Sequence, residues 1–351
     1  MKIYKKYLAS ILSVAIVLAV FTGISCSMTP EGVSVLSGDY VSPKFLSFEM
    51  VNENQANLYF SKDVQLENIR VANVENQNSV DFEKKNLGSG TWILNFTENL
   101  DCATSYSIEG NVKDESGNSL YFKDQFQGYN SRVPNVVLNE IREGTYSQGK
   151  YPKYEFIELK VLSDGNLGGM QLISAYDTEG RAYILPSAEV KAGEFVVIHY
   201  RKASDDVTQD ELGSDTTIST GNEAGSWRDL WVNSEKACLG ASDVILLKNR
   251  VNGNIVDAVL YSNGAMSEWK TEYLKKCAQE AFDCGVWESG AAIQDACNTQ
   301  NVTPSRTLCR ITTDSNGKDS WIVVNTGKNS MGKENSSEEY VKPAETTSED
   351  D

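Results

Sequence analysis

The residues best suited to chemistry in this chain are three glutamates. Glu140 lies in VVLNEI, and Glu155 and Glu158 lie in YEFIEL, an apolar run soon followed by the paired glycines of LGGMQLIS. Two carboxylates flanking a cleft would serve a glycosidase, one as acid and the other as base or nucleophile. Carboxylates that close also raise one another's pKa. The spacing inside YEFIEL argues against a pair there. Successive side chains of a strand point to opposite faces, so residues three apart do not share one. Glu155 falls with Ile157 and Leu159, and Glu158 with Tyr154 and Phe156. Glu140 could approach one of them from a neighbouring strand. Arg142, Arg310 or backbone N–H groups would account for the same acids without catalysis. We read them as structural and assign no catalytic residue.

Other constellations are sparse. The single histidine, His199, sits in the strand-like EFVVIHY on the parity of Val197 and Phe195, where packing is the plainer role. No Gly-x-Ser-x-Gly elbow, CxxC pair, Walker A motif or dinucleotide fingerprint is present, so no metal and no cofactor is expected. In DESGN, Asp114 and Asn118 suit a tight turn better than a calcium loop. With 49 acidic against 32 basic residues, the formal net charge is −17. That sign repels phosphate backbones and excludes nucleic acid as a partner.

The elements that would position these residues begin after a leader. Residues 1–25 start with Lys2, Lys5 and Lys6 and continue through an uncharged apolar run, Leu8 to Phe21. The run is too short to span a bilayer, which takes roughly 20 residues, and has the flanks of a secretory signal. Its ending, Gly23-Ile24-Ser25-Cys26, resembles a bacterial lipobox, with Gly23 where Leu is usual. The resemblance implies a diacylated Cys26 and a membrane partner, at the outer membrane or cell surface rather than the inner membrane. Residues 26–42 read as a lipidated tether, and 336–351 as a disordered acidic tail.

Between those ends the chain reads as all-β, two Ig-like sandwiches in tandem. In 43–130, Ala56, Leu58 and Phe60 alternate, as do Trp92, Leu94 and Phe96, and then Tyr106, Ile108 and Val112. NLYFSKDV and CATSYSIEGNVKDESGNSL resemble the SbsA-type bacterial Ig-like module, through Phe60, Ser61, Val64, Tyr106, Asp114, Gly117 and Asn118. That resemblance implies a spacer. Residues 135–335 resemble a lamin-tail domain, an Ig-like sandwich. The match runs through Asn139-Glu140-Ile141, Glu155, Ile157-Glu158-Leu159, Gly169, Leu172, Gly193-Glu194-Phe195 and Asp243-Val244 with Leu246. It ends on Gly253, Val256-Asp257, Tyr261, Arg310 and the closing turn SMGKEN. The lamin-tail family is not known as an enzyme class.

Two excursions, 201–237 and 263–304, interrupt that pattern and hold four of the six tryptophans: Trp227, Trp231, Trp269 and Trp287. They either anchor the loops or form a contact surface for a protein or an envelope glycan. Both excursions are expected to vary without unfolding the sandwich. Within the second, Ser267 as N-cap, the repeat Trp269, Tyr273, Cys277, Ala281 and Gly285 as stop predict one helix over 268–284. Cys277 and Cys284 would then lie about 10 Å apart along its axis, too far for a disulfide. Bridges are expected to run outward from the helix, as Cys284–Cys297 and Cys238–Cys277.

The reading is therefore a membrane-anchored, non-enzymatic envelope lipoprotein that binds or builds through a lamin-tail domain. The alternative is an accessory or catalytic part of an exported hydrolase system, nuclease- or glycosidase-like, using the strand carboxylates. The anchor can be checked directly. Wild type should incorporate labelled fatty acid and partition into detergent, whereas Cys26→Ala should do neither; an unlabelled wild type in a competent host would rule out lipidation.

Overall fold

The computed structural model describes residues 38–144, 155–176, 182–201, 208–220, 223–234, 236, 238–251 and 253–343. The signal segment, Cys26, most of the tether and residues 344–351 lie outside them. Seven strands come first: β1 (Phe45–Asn52), β2 (Gln55–Phe60), β3 (Gln65–Asn73), β4 (Phe82–Gly88), β5 (Thr91–Phe96), β6 (Ser105–Lys113) and β7 (Ser119–Gln127). They form a sheet in the order β1-β2-β5-β4 and another in the order β3-β6-β7. The alternating residues enclose an apolar core in which Ala56, Leu58, Leu94, Ile108 and Val112 are fully buried. Asp114 shapes the β6–β7 turn. Its Oδ1 accepts the Asn118 N–H at 2.8 Å, and its Oδ2 accepts the Asn118 amide at 2.9 Å and Lys62 Nζ at 3.1 Å.

The second core lies between two further sheets. One runs β15 (Arg228–Trp231), β14 (Phe195–His199), β9 (Phe156–Val161), β8 (Val136–Arg142), β19 (Leu308–Arg310) and β20 (Trp321–Val323). The other runs β12 (Ala182–Ile184), β11 (Gln171–Ser174), β16 (Ser242–Lys248), β17 (Ile255–Ser262) and β18 (Cys297–Asn298). A short pair, β10 (Gly165–Asn166) with β13 (Glu189–Val190), sits beside them. Ile141, Ile157, Leu159, Val196 and Ile198 point inward from the first sheet and are fully buried. The opposite face of that sheet is also buried, yet it carries Glu140, Arg142, Glu158 and His199. A bulge between Leu138 and Glu140 sets the register in which Glu140 faces Glu158 across the β8–β9 ladder.

Several expectations need correction. The first excursion supplies β15, which pairs in parallel with β14, and its Leu230 is fully buried in the main core. It belongs to the sheet and is not a dispensable loop. The helix, α1, covers Glu272–Asp283 and not 268–284. Thr271 replaces Ser267 as N-cap, accepting the Leu274 N–H at 3.2 Å, because the chain is still extended at Thr271. Gly285, at φ +74°, ends it as expected. Cys277, Cys284 and Cys297 carry no bridge in the structure, so neither Cys284–Cys297 nor Cys238–Cys277 is formed in it. Cys277 faces the core from α1, while Cys284 is exposed and donates to the Glu280 carbonyl at 2.8 Å. The described part of the tail, residues 336–343, lies against the fold. Tyr340 donates its N–H to Val323 O at 2.8 Å and lies under the Arg306 guanidinium at 3.9 Å. One aromatic thus anchors a stretch that composition alone marks as unanchored.

Removal of the Leu230 side chain should cost about 2–5 kcal/mol, the range for buried Leu→Ala. Replacing 228–231 with Gly-Ser repeats should abolish a cooperative thermal transition. An unchanged melting curve for either variant would return the excursion to the status of a loop.

Candidate functional site: a carboxylate-built turn and an aromatic groove

Glu140 and Glu158 meet on the non-core face of the six-stranded sheet, directly opposite one another and fully buried. The chain returns over them. Glu140 accepts Thr307 Oγ1 at 2.6 Å, Ser330 Oγ at 2.8 Å and the Ser330 N–H at 3.1 Å. Glu158 accepts Asn139 Nδ2 at 2.7 Å on one oxygen and the Gly332 N–H on the other. Asn335 completes the closing turn by donating to Asn139 O at 2.9 Å and Arg310 O at 2.8 Å. Glu155 is separate, as parity required. It is fully buried and accepts the backbone N–H groups of Cys238 and, at 3.4 Å, Leu239. Arg310 does not serve these acids; its Nη2 contacts both oxygens of Asp257, at 2.7 and 2.6 Å. Arg142 reaches Glu223 and lies 4.9 Å over the Phe156 ring.

The turn that the acids hold bears on Trp227. A Cβ on Gly332 would come within 2.0 Å of the Trp227 ring, and one on Gly225 within 2.4 Å. Only glycine at both positions leaves room for the indole, and Gly332 also needs its φ of +74°. Trp227 Nε1 donates to Asp229 Oδ1 at 2.9 Å, and the Gly225 N–H donates to Asp229 Oδ2 at 3.1 Å. His199 Nε2 lies 2.7 Å from the same Oδ1, and the His199 ring stacks on Trp231 at 3.9 Å. His199 is thus a packed positioning group between β14 and β15.

Trp227 is half-buried and lines a groove of about 1070 Å³. Phe195 and Leu212 add apolar wall. Arg132 pairs with both oxygens of Glu189, one contact at 2.9 Å, and Arg228 Nε donates to Glu194 at 2.7 Å. Arg132 and then Asn166 hold the Glu189 carboxyl below its ordinary range. The other three candidate tryptophans do not reach this surface. Trp231 and Trp269 are 5% exposed and Trp287 is fully buried. They anchor the excursions to the core, which corrects the expectation that all four could meet a partner. The sequence reading missed Phe195, Arg132 and Glu189 as neighbours of Trp227. Only the fold brings them together, and no spacing signals it.

Residues 134–323 match the family TP_1001_2nd, described as a protein second domain. The chain is 28% identical over 223 residues to an "Uncharacterized protein" of Treponema pallidum (strain Nichols). That match covers 61% of this chain and 54% of the relative, so the chain spans about half the relative's length. Among solved structures, a DUF4876 family protein from Bacteroides thetaiotaomicron VPI-5482 is similar at 11% identity and a TM-score of 0.31, over 76% of this chain and 90% of that one. The N-terminal part of the bacterial S-layer protein SbsC is similar at 14% identity and a TM-score of 0.25, over 63% and 43%. Likeness at that level does not bear on what this chain does.

The buried acids make stability depend on pH in an uncommon direction. Burial pushes the Glu158 carboxyl up to about 8, with the charge of Glu140 adding to the rise and the bonds from Gly332 and Asn139 opposing it. Burial raises Glu140 as well, against its bonds from Thr307 and Ser330. Glu143 reaches about 8 and Asp243 about 7, burial being the largest cause for each. Between the ordinary carboxyl value, about 4.3, and these values, the folded chain keeps protons that the unfolded chain has lost. Stability therefore falls as pH rises through that window, by at most about 1.4 kcal/mol per pH unit for each group, and levels off above it. Urea midpoints measured from pH 5 to pH 9 should fall for wild type. Glu158→Gln should give a shallower fall, whereas parallel profiles would show that Glu158 is ionised throughout.

Proposed function

We propose that the chain, which belongs to the TP_1001_2nd family, is a lipid-anchored envelope protein that binds rather than catalyses. The lipobox-like ending at Cys26 supports the anchor, at the outer membrane or cell surface. The lamin-tail resemblance of 135–335 and the Ig-like resemblance of 43–130 support a binding module carried on a spacer. One observation carries the functional half of this reading. Glu140 and Glu158 are fully buried and accept from Thr307, Ser330, Asn139 and Gly332, while a groove lined by Trp227 lies beside the turn they hold. A glycosidase would need its two carboxyl groups facing a cleft wide enough for the substrate. The geometry of these acids supports recognition at the groove over the hydrolase alternative.

Co-sedimentation of the full-length chain, in detergent, with cell walls isolated from the source organism tests this. Wild type should sediment with the walls, and Trp227→Ala should lower the bound fraction about tenfold, as loss of a hot-spot tryptophan does. Release of soluble wall fragments by wild type but not by Glu158→Gln would overturn the reading in favour of the hydrolase.

A further inference from the structure

The groove also indicates what it takes. Its charges are balanced, Arg132, Lys191 and Arg228 against Asp164, Glu189 and Glu194, and two of the three cations already meet an acid within the chain. Arg132 meets Glu189, Arg228 meets Glu194, and Asp164 accepts the Ala192 N–H at 2.9 Å. A charged ligand would meet as many like charges as unlike ones, and the net charge of −17 repels polyanions besides. An extended peptide would ordinarily add to a free sheet edge. β15 is the edge strand here, and the chain covers it itself. The Asp229 N–H donates to Glu211 Oε2 at 2.7 Å, Asp229 O accepts the Glu211 N–H at 3.0 Å, and the Trp231 N–H donates to Asp210 at 2.7 Å.

What remains is a fixed aromatic surface among polar groups able both to donate and to accept. Trp227 is held in orientation by Asp229 Oδ1 and by the two glycines against its ring, so binding would not have to order it. The Arg132–Glu189 pair is more than half exposed on both sides, and such a pair is worth only about 0–1 kcal/mol, so its groups can turn to a ligand at little cost. The groove volume, about 1070 Å³, lies at the upper end of the range for small-molecule sites. We infer that the groove binds a neutral glycan chain, with a sugar face on Trp227 and its hydroxyls bridging the Arg132–Glu189 and Arg228–Glu194 pairs. This rests on reading the groove as the binding site.

The full-length chain in detergent should be titrated calorimetrically with neutral hexasaccharides (maltohexaose, cellohexaose and chitohexaose). The controls are the cationic chitosan hexamer, an anionic oligogalacturonate and a library of uncharged decapeptides. At least one neutral sugar should saturate, and Trp227→Ala should weaken it about tenfold. Because Trp227 also packs on Phe156, Val197 and Met331, Arg132→Ala provides a second variant that leaves the core intact; it should weaken the same sugar about threefold with an unchanged melting temperature. If only a peptide binds, and does so through Trp227, the glycan assignment falls while the groove stands. Tighter binding of either charged sugar overturns neutrality. If no probe binds and the cell walls sediment equally with wild type and Trp227→Ala, both the assignment and the groove reading fall.

Discussion

Two carboxyl groups facing one another across a buried ladder need hydrogen-bond partners, because a buried polar group left without one costs about 1–3 kcal/mol. Glu140 and Glu158 create that need in the second sandwich, and none of the donors from the returning chain is local. Thr307 lies 167 positions from Glu140, Ser330 lies 190 positions from it, and Gly332 lies 174 positions from Glu158. The last part of the chain must therefore cross back over the sheet. Once there, Ser330 and Gly332 present their N–H groups to the acids, and Asn335 ties the turn to Asn139 and Arg310. The acids thus behave as the fixed end of a strap.

The strap in turn determines where Trp227 can sit. Gly332 donates to Glu158 on one side and leaves room for the indole on the other, so the carboxylate ladder and the groove wall share one residue. The opposite constraint comes from the first excursion. Its strand β15 extends the sheet beside β14, and Asp229 on that strand receives both Trp227 Nε1 and the His199 ring. An element that resembles an insertion in sequence therefore closes the sheet edge and aims the aromatic. The Trp227 position depends on the register of both neighbours, so a one-residue slip in β15 would turn Asp229 away from the indole.

The period-two signal was readable wherever strands bury one face. Leu58, Leu94 and Ile108 of the first core announce themselves by alternation, and so does the separation of Glu155 from Glu158. The closing turn was visible as SMGKEN, and Glu140 as the acid free to approach from another strand. The Glu140–Glu158 register was not readable, because the bulge after Leu138 shifts the count by one. Nor was β15, whose Arg228-Asp229-Leu230-Trp231 carries charges where a strand pattern wants apolar residues. Asp229 is buried because the sheet's second face is polar and covered, whereas Arg228, on the parity of Leu230, is buried by donating to Glu194 and to the Glu211 and Gly213 carbonyls. Trp231, Trp269 and Trp287 failed as surface candidates for a related reason: long excursions need large apolar anchors to hold them down, and tryptophan buries the most area per residue.

A carboxylate can act on a substrate only if an oxygen is left to meet it. Glu158 has a donor on each oxygen, Glu211 gives both to the backbone N–H groups of Ser219 and Asp229, and Asp243 accepts from Ser174, Tyr176, Gly240 and Val244. Each is engaged within the fold and shielded from solvent. Glu189 differs, since its partner Arg132 is 63% exposed and the pair is held only weakly against water. Sequence context drew attention to the acids inside apolar runs, but burial there commits an acid to the fold. Glu189, an acid whose partner is open to water, is at the groove rim, beside an aromatic that the buried acids keep in place.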